Sequence, residues 1–162
     1  MQSAIKVEQL SKNYGNLLAV DNINLSVKCG TVYGLLGANG AGKSTAIECI
    51  LGTKNADSGT ISVLNCNPKK DRRRLFQKVG VQFQEGDYQP EIKVSELCEE
   101  TACLYEAPAD WKSLCEQFGI GNKTGNAVKS LSGGERQRLF IVLALISRIV
   151  AMSFCEPRSC LG

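Results

Sequence analysis

The sequence of 162 residues contains no histidine. None of its eight cysteines forms a Cys-x-x-Cys pair, so the closely spaced imidazole and thiolate ligands of zinc sites are missing. Cys29, Cys49, Cys66, Cys98, Cys103, Cys115, Cys155 and Cys160 are scattered, and read as reduced, mostly buried thiols. No apolar run has the length of a membrane-spanning helix; the longest covers residues 139–146. Residues 1–10 alternate polar and apolar like a strand, which is not a signal-peptide pattern. A net charge of +3 is too small to argue for a nucleic-acid partner. The dense basic stretch Lys69, Lys70, Arg72, Arg73 and Arg74 has no interleaved aromatics and reads as a solvated helix face. The expectation is a cytosolic chain with no metal cluster and no nucleic-acid partner.

What is present is the balance of a soluble domain, 43% hydrophobic and 22% charged, with length enough for a core. Ile5, Val7 and Gln9 predict a first strand, and Ile23, Leu25 and Val27 a half-buried one ending at Cys29-Gly30. Residues 32–36 form a continuous apolar run, predicted to be a strand that enters a glycine-rich loop. A helix is expected over residues 43–51, stopped by Gly52, then short strands over 60–64 and 79–83. From about residue 94 the pattern turns helical, with Ser95 and Asp110 near helix starts. Ser132 opens a long helix to about Arg148, and 149–154 form a last, poorly shaped strand. Alternating strands and helices predict an α/β chain with a parallel sheet, and the helical stretch predicts an insert. The expected domain layout is one domain over 1–162, its β-rich core at 1–85 and 148–162 and its helical part at 86–147.

Gly37-Ala38-Asn39-Gly40-Ala41-Gly42-Lys43-Ser44-Thr45 fits G-x-x-x-x-G-K-[ST] between a predicted strand and a predicted helix. Glycines let the backbone curl until its N–H groups point inward at phosphate oxygens. The helix that follows adds unpaired N–H groups and the positive end of its dipole. Lys43 has the reach for β- and γ-phosphates, and the Ser44 hydroxyl can ligate Mg²⁺. This loop alone does not choose between GTPase, kinase and ATPase. Asn122-Lys123-Thr124-Gly125 is similar to a guanine-reading motif but ends in glycine where that motif has a carboxylate.

Leu131-Ser132-Gly133-Gly134-Glu135, followed by Arg136-Gln137-Arg138, resembles the LSGGQ signature of ATP-binding-cassette (ABC) ATPases, with Glu135 for the usual Gln. Ser-x-x-Glu also opens many ordinary helices as a capping box. Two adjacent glycines do not serve a simple cap, however; they bare backbone N–H groups at a helix start. The chain is identified on this basis as similar to the nucleotide-binding domain of an ABC transporter. Val81-Gln82-Phe83-Gln84, with Glu96-Leu97-Cys98 after it, is most like the ABC-2 or drug-export type. The resemblance implies a P-loop NTPase (RecA-like) core, an N-terminal antiparallel β part and a helical subdomain insert. It implies that Tyr14, otherwise readable as a turn aromatic, stacks on adenine. Gln84 matches the glutamine that senses Mg²⁺ and the attacking water, and Glu156, before Pro157, matches the general base. Lys43, Gln84 and Glu156 are thus the expected catalytic set, and Ser44 and Gln84 the Mg²⁺ ligands. Ser132, Gly133, Gly134 and Glu135 would contact the γ-phosphate held by a second copy. The implied cofactors are ATP and Mg²⁺. The implied partners are a second nucleotide-binding domain, in a dimer, and a separate integral membrane permease at the inner face of the cell membrane.

Two departures weigh against turnover. Cys155 stands where the family has an aspartate that organises the water shell of Mg²⁺, a hard cation that prefers oxygen. Its loss from a phosphoryl-transfer site would cost roughly 3 kcal/mol, on the order of a hundredfold in rate. Residues 158–162 match the family poorly and its histidine switch is absent, so a truncated or frame-shifted C-terminus is expected. Beside the transporter ATPase, the residues therefore leave open a non-catalytic nucleotide-binding remnant or regulatory partner. A soluble ABC ATPase of DNA repair or translation is the third reading, without the two cassettes or long insertions such proteins carry.

Overall fold

A computed structural model of the chain describes residues 3–82, 89, 91–147 and 150–153. Two compact units divide between Leu75 and Phe76.

In the first unit, β1 (Ser3–Tyr14) pairs antiparallel with β2 (Leu17–Lys28) on one edge and β3 (Ser58–Val63) on the other. The alternation expected through Ile5, Val7 and Gln9 breaks, because Gln9 has φ 52 and the register shifts between Val7 and Leu10. The bulge makes Val7 and Leu10 the buried residues, and the Gln9 amide donates instead to the Asn24 side chain at 3.0 Å. Helix α1 (Lys43–Ile50) lies against this sheet through Ala46, Cys49 and Ile50. Their i, i+3, i+4 spacing puts all three on one stripe. Burial pushes the Cys49 thiol up, so it behaves as a small apolar group of this core.

The run at 32–36 is not a strand. It joins no ladder among the described residues, and Val32 and Leu36 are almost fully exposed. An all-apolar run becomes a strand when parallel neighbours flank it and layers cover both faces. The sheet of its own unit is antiparallel, in the order β2-β1-β3, and the run pairs with neither of its edge strands.

The second unit, entered through the short basic α2 (Arg72–Phe76), pairs β4 (Val79–Gln82) in parallel with β5 (Val150–Ser153). Helices α3 (Val94–Ala102), α4 (Trp111–Gln117) and α5 (Gly133–Leu145) share a core that includes Val94, Leu97, Ile120, Leu139, Val142 and Ile146. Asp110 caps α4, accepting from the Lys112 amide at 3.0 Å. Ser95 falls inside α3, whose first residue is Val94; Glu96 closes that end by accepting from the Lys93 amide at 2.8 Å. The segment before α5 is sewn to the start of α3 by Val94 N to Asn126 O at 3.0 Å and Val128 N to Ile92 O at 2.9 Å. Val128 and Leu131 of this segment are buried, next to the Ser132 cap of α5.

Candidate functional site

The loop before α1 has the geometry its glycines demand. Gly42 sits at φ 78, and a Cβ there would stand 1.9 Å from the Ala19 carbonyl oxygen. Only glycine meets both conditions, the left-handed backbone and the contact with β2. Helix α1 then starts with no side-chain cap and no acidic residue in its first turn. Its first intrahelical bond is Ala46 N to Gly42 O at 2.8 Å, so the amides of Lys43, Ser44 and Thr45 lie ahead of the helix ladder. The Lys43 ammonium folds back over the loop and donates to the Gly37 and Ala38 carbonyls at 2.9 and 2.7 Å. Gly37, Asn39, Gly40, Ala41 and Ser44 are exposed. A bare helix start and an ammonium over a ring of backbone suit an anion of several charges. The exposed Ser44 hydroxyl is a hard oxygen ligand, which fits Mg²⁺.

Tyr14 belongs to the same neighbourhood. It pairs with Leu17 at the end of the β1–β2 hairpin, two residues from the Ala19 contact with Gly42, roughly 7 Å along the strand. Its ring is part-exposed, and Leu17 and Leu18 beside it are exposed as well. Two ammonium groups face the ring, those of Lys12 and Lys54, each 5.5 Å from its centre. Lys12 pairs with Asp57 at 2.7 Å, and Lys54 with Glu48 at 2.8 Å. The Lys12 ammonium first, then the Asn13 amide, hold the Asp57 carboxyl below its ordinary range. These four charged residues were not legible as part of the site, because Lys12 and Asp57 are 45 residues apart and no motif includes either of them.

The second expected surface lies in the second unit, where Ser132 caps α5. Its hydroxyl accepts from the Glu135 amide at 3.3 Å, while Glu135 accepts from the Ser132 amide at 2.9 Å. Lys123 reaches the other Glu135 oxygen at 3.2 Å. The Ser132 amide chiefly, then its hydroxyl and Lys123, depress the Glu135 carboxyl below its ordinary range. Glu135 is therefore the anionic half of a capping box and is drawn toward its own helix. The glycines between are different. A Cβ on Gly133 would meet nothing within 4 Å, and one on Gly134 only Arg138 Nη1 at 4.0 Å. Neither glycine is required by packing inside the described chain, although glycine is a poorer helix former than alanine. Gln84, Cys155 and Glu156 lie outside the described residues.

Comparison with known proteins identifies the family. The family model for the ABC transporter matches residues 20–157. Nod factor export ATP-binding protein I of Burkholderia orbicola is 34% identical over 94% of this chain and 52% of its own length. Bacitracin transport ATP-binding protein BcrA of Bacillus licheniformis is 30% identical, over 97% and 52%. Methionine import ATP-binding protein MetN of Campylobacter jejuni is also 30% identical, over 87% and 50%. The chain thus spans about half the length of the curated relatives it matches. Among solved structures, the ADP conformation of an ATP-binding cassette of an ABC transporter superposes with a TM-score of 0.78 at 25% identity, over 93% of this chain and 68% of that one. Among the described residues no helix is long and apolar enough to cross a membrane. With the family model covering most of the sequence, the loop at 37–45 and the helix start at 132–135 have a common explanation: the chain belongs to the ABC transporter family, to its ATP-binding domain.

Proposed function

We propose that this chain binds ATP with Mg²⁺ on the loop at 37–45, associates with a second nucleotide-binding domain, and supplies ATP-driven work to a separate membrane permease from the cytoplasmic side. The observation that carries the reading is the uncapped start of α1 with the Lys43 ammonium held over the loop. On binding, Lys43 exchanges its two carbonyl partners for β- and γ-phosphate oxygens, and the amides of residues 43–45 complete the cradle. Ser44 and Gln84 are the residues assigned to hold Mg²⁺, which would supply positive charge to the triphosphate. Glu156 is assigned to orient the attacking water. Tyr14 is assigned to the base. The helical part at 86–147 carries the signature and faces the permease, in a transporter of the ABC-2 or drug-export type.

The open space over Gly133 and Gly134 supports the dimer, since bare backbone at a helix start serves an outside phosphate better than its own fold. Gly134→Ala is the direct test. Thermal melts are expected to show a chain at least as stable as wild type, because alanine is the better helix former and a Cβ at residue 134 meets only Arg138 Nη1 at 4.0 Å. Sedimentation in Mg²⁺ and ATP is expected to show that association is lost. A variant that associates as wild type removes this surface from the dimer.

Cys155 favours a second reading, a chain that binds nucleotide and turns it over poorly. The Mg²⁺-dependent ATPase rate is expected to rise on the order of a hundredfold in Cys155→Asp. An unchanged rate would mean that residue 155 does not organise the metal.

A further inference from the structure

The ring of Tyr14 lies at a hairpin end, part-exposed, where a side chain is ordinarily free to change rotamer. Here two cations lie 5.5 Å from its centre, and each is itself held by a carboxylate. Lys12 is the more enclosed, and its partner Asp57 also accepts from the Asn13 amide at 2.6 Å, so that pair shapes the β1 backbone. Lys54 has a different setting. It lies just past α1, in a turn whose Thr53 and Lys54 amides both donate to the Glu48 carbonyl, at 2.9 and 3.1 Å. The Thr53 hydroxyl donates there too, at 3.0 Å, and the Glu48 carboxylate takes the Lys54 ammonium at 2.8 Å. Backbone and side chain of Lys54 are thus tied to one residue of the helix that opens the phosphate loop. The chain of contacts runs from α1 through Glu48 and Lys54 to the Tyr14 ring.

We propose that Lys54 is a positioning residue for nucleotide: its ammonium, fixed by Glu48, holds the Tyr14 ring where it stacks on the base. The inference rests on the assignment of Tyr14 to adenine and deepens it. A cation against an aromatic ring is attracted by the ring's quadrupole, and a ring already held loses less freedom when a base stacks on it. Lys54 acts on the base through Tyr14 and leaves the phosphates to the loop.

Affinities of the whole chain for Mg²⁺-ATP and for inorganic tripolyphosphate separate those roles, because tripolyphosphate has no base. Lys54→Ala is expected to weaken ATP about threefold and leave tripolyphosphate unchanged. Tyr14→Ala is expected to weaken ATP about tenfold. Lys54→Ala added to Tyr14→Ala is expected to do nothing more, and Lys54→Arg, which keeps a cation beside the ring, to restore ATP affinity. Equal loss of both ligands in Lys54→Ala would make Lys54 a phosphate cation and overturn the proposal. So would full ATP affinity in that variant, or an undiminished loss in the Tyr14→Ala background. If Tyr14→Ala itself leaves ATP affinity intact, the adenine assignment fails and the inference with it. A wild-type chain that takes up neither ligand would instead overturn the proposed function.

Discussion

Lys43→Ala is expected to weaken ATP binding by about a hundredfold, on the order of 3 kcal/mol, while the chain melts as wild type. The two halves of this expectation come from the same contacts. The Lys43 ammonium donates to the Gly37 and Ala38 carbonyls, which belong to an exposed loop and not to the core. Truncating it frees two carbonyls that water can reach, so the fold loses little. A triphosphate bound on the loop, in contrast, would lose the Lys43 ammonium and keep the backbone N–H donors of residues 43–45. Equilibrium titration and thermal melts of the same preparations check both halves. A variant that binds ATP as tightly as wild type would show that the loop does not grip phosphate through this side chain.

Gly80→Ala is expected to have the largest effect on stability. In β4, a Cβ at residue 80 would stand 1.8 Å from the Ala144 carbonyl oxygen and 2.7 Å from its carbon. Both atoms are backbone of α5, so no side chain can swing aside, and the strand or the helix has to move. Forced overpacking of this kind costs about 3 kcal/mol or more, and lowers the melting temperature of a unit this size on the order of 10 °C. Helix α5 carries the signature at its start, so displacement at Ala144 bears on function as well as on stability. Gly134→Ala, on the same helix in open space, is the matched control. A wild-type melt for Gly80→Ala would contradict the close packing of β4 on α5.

The contrast between these glycines shows what could be read from residues alone. Spacing within nine residues made the loop at 37–45 legible, because its chemistry is local: glycines, one lysine and two hydroxyls on one turn. Ser132 was legible as the cap of α5 for the same reason, three residues from its partner Glu135. The importance of Gly80 was not, because the Ala144 backbone that excludes a Cβ is 64 residues away. Residues 32–36 failed in the opposite direction. Their composition is that of a buried strand, but a strand also needs a paired neighbour and cover on both faces, and among the described residues this run joins no ladder and is largely exposed. The bulge at Gln9 was not legible, because the polar Glu8-Gln9 pair between Val7 and Leu10 carries no motif, and the register shifts appear only against the partner strand. Around Tyr14 the aromatic was visible and its setting was not, since the cations and carboxylates that hold it come from β1, α1 and the turns that follow α1.

Equilibrium titration of the folded chain with labelled ATP in Mg²⁺ bears most directly on the whole account. Saturable uptake at one site per chain, displaced by unlabelled ATP and by tripolyphosphate, is the result the loop and Lys43 predict. Folded protein that takes up no nucleotide would contradict it.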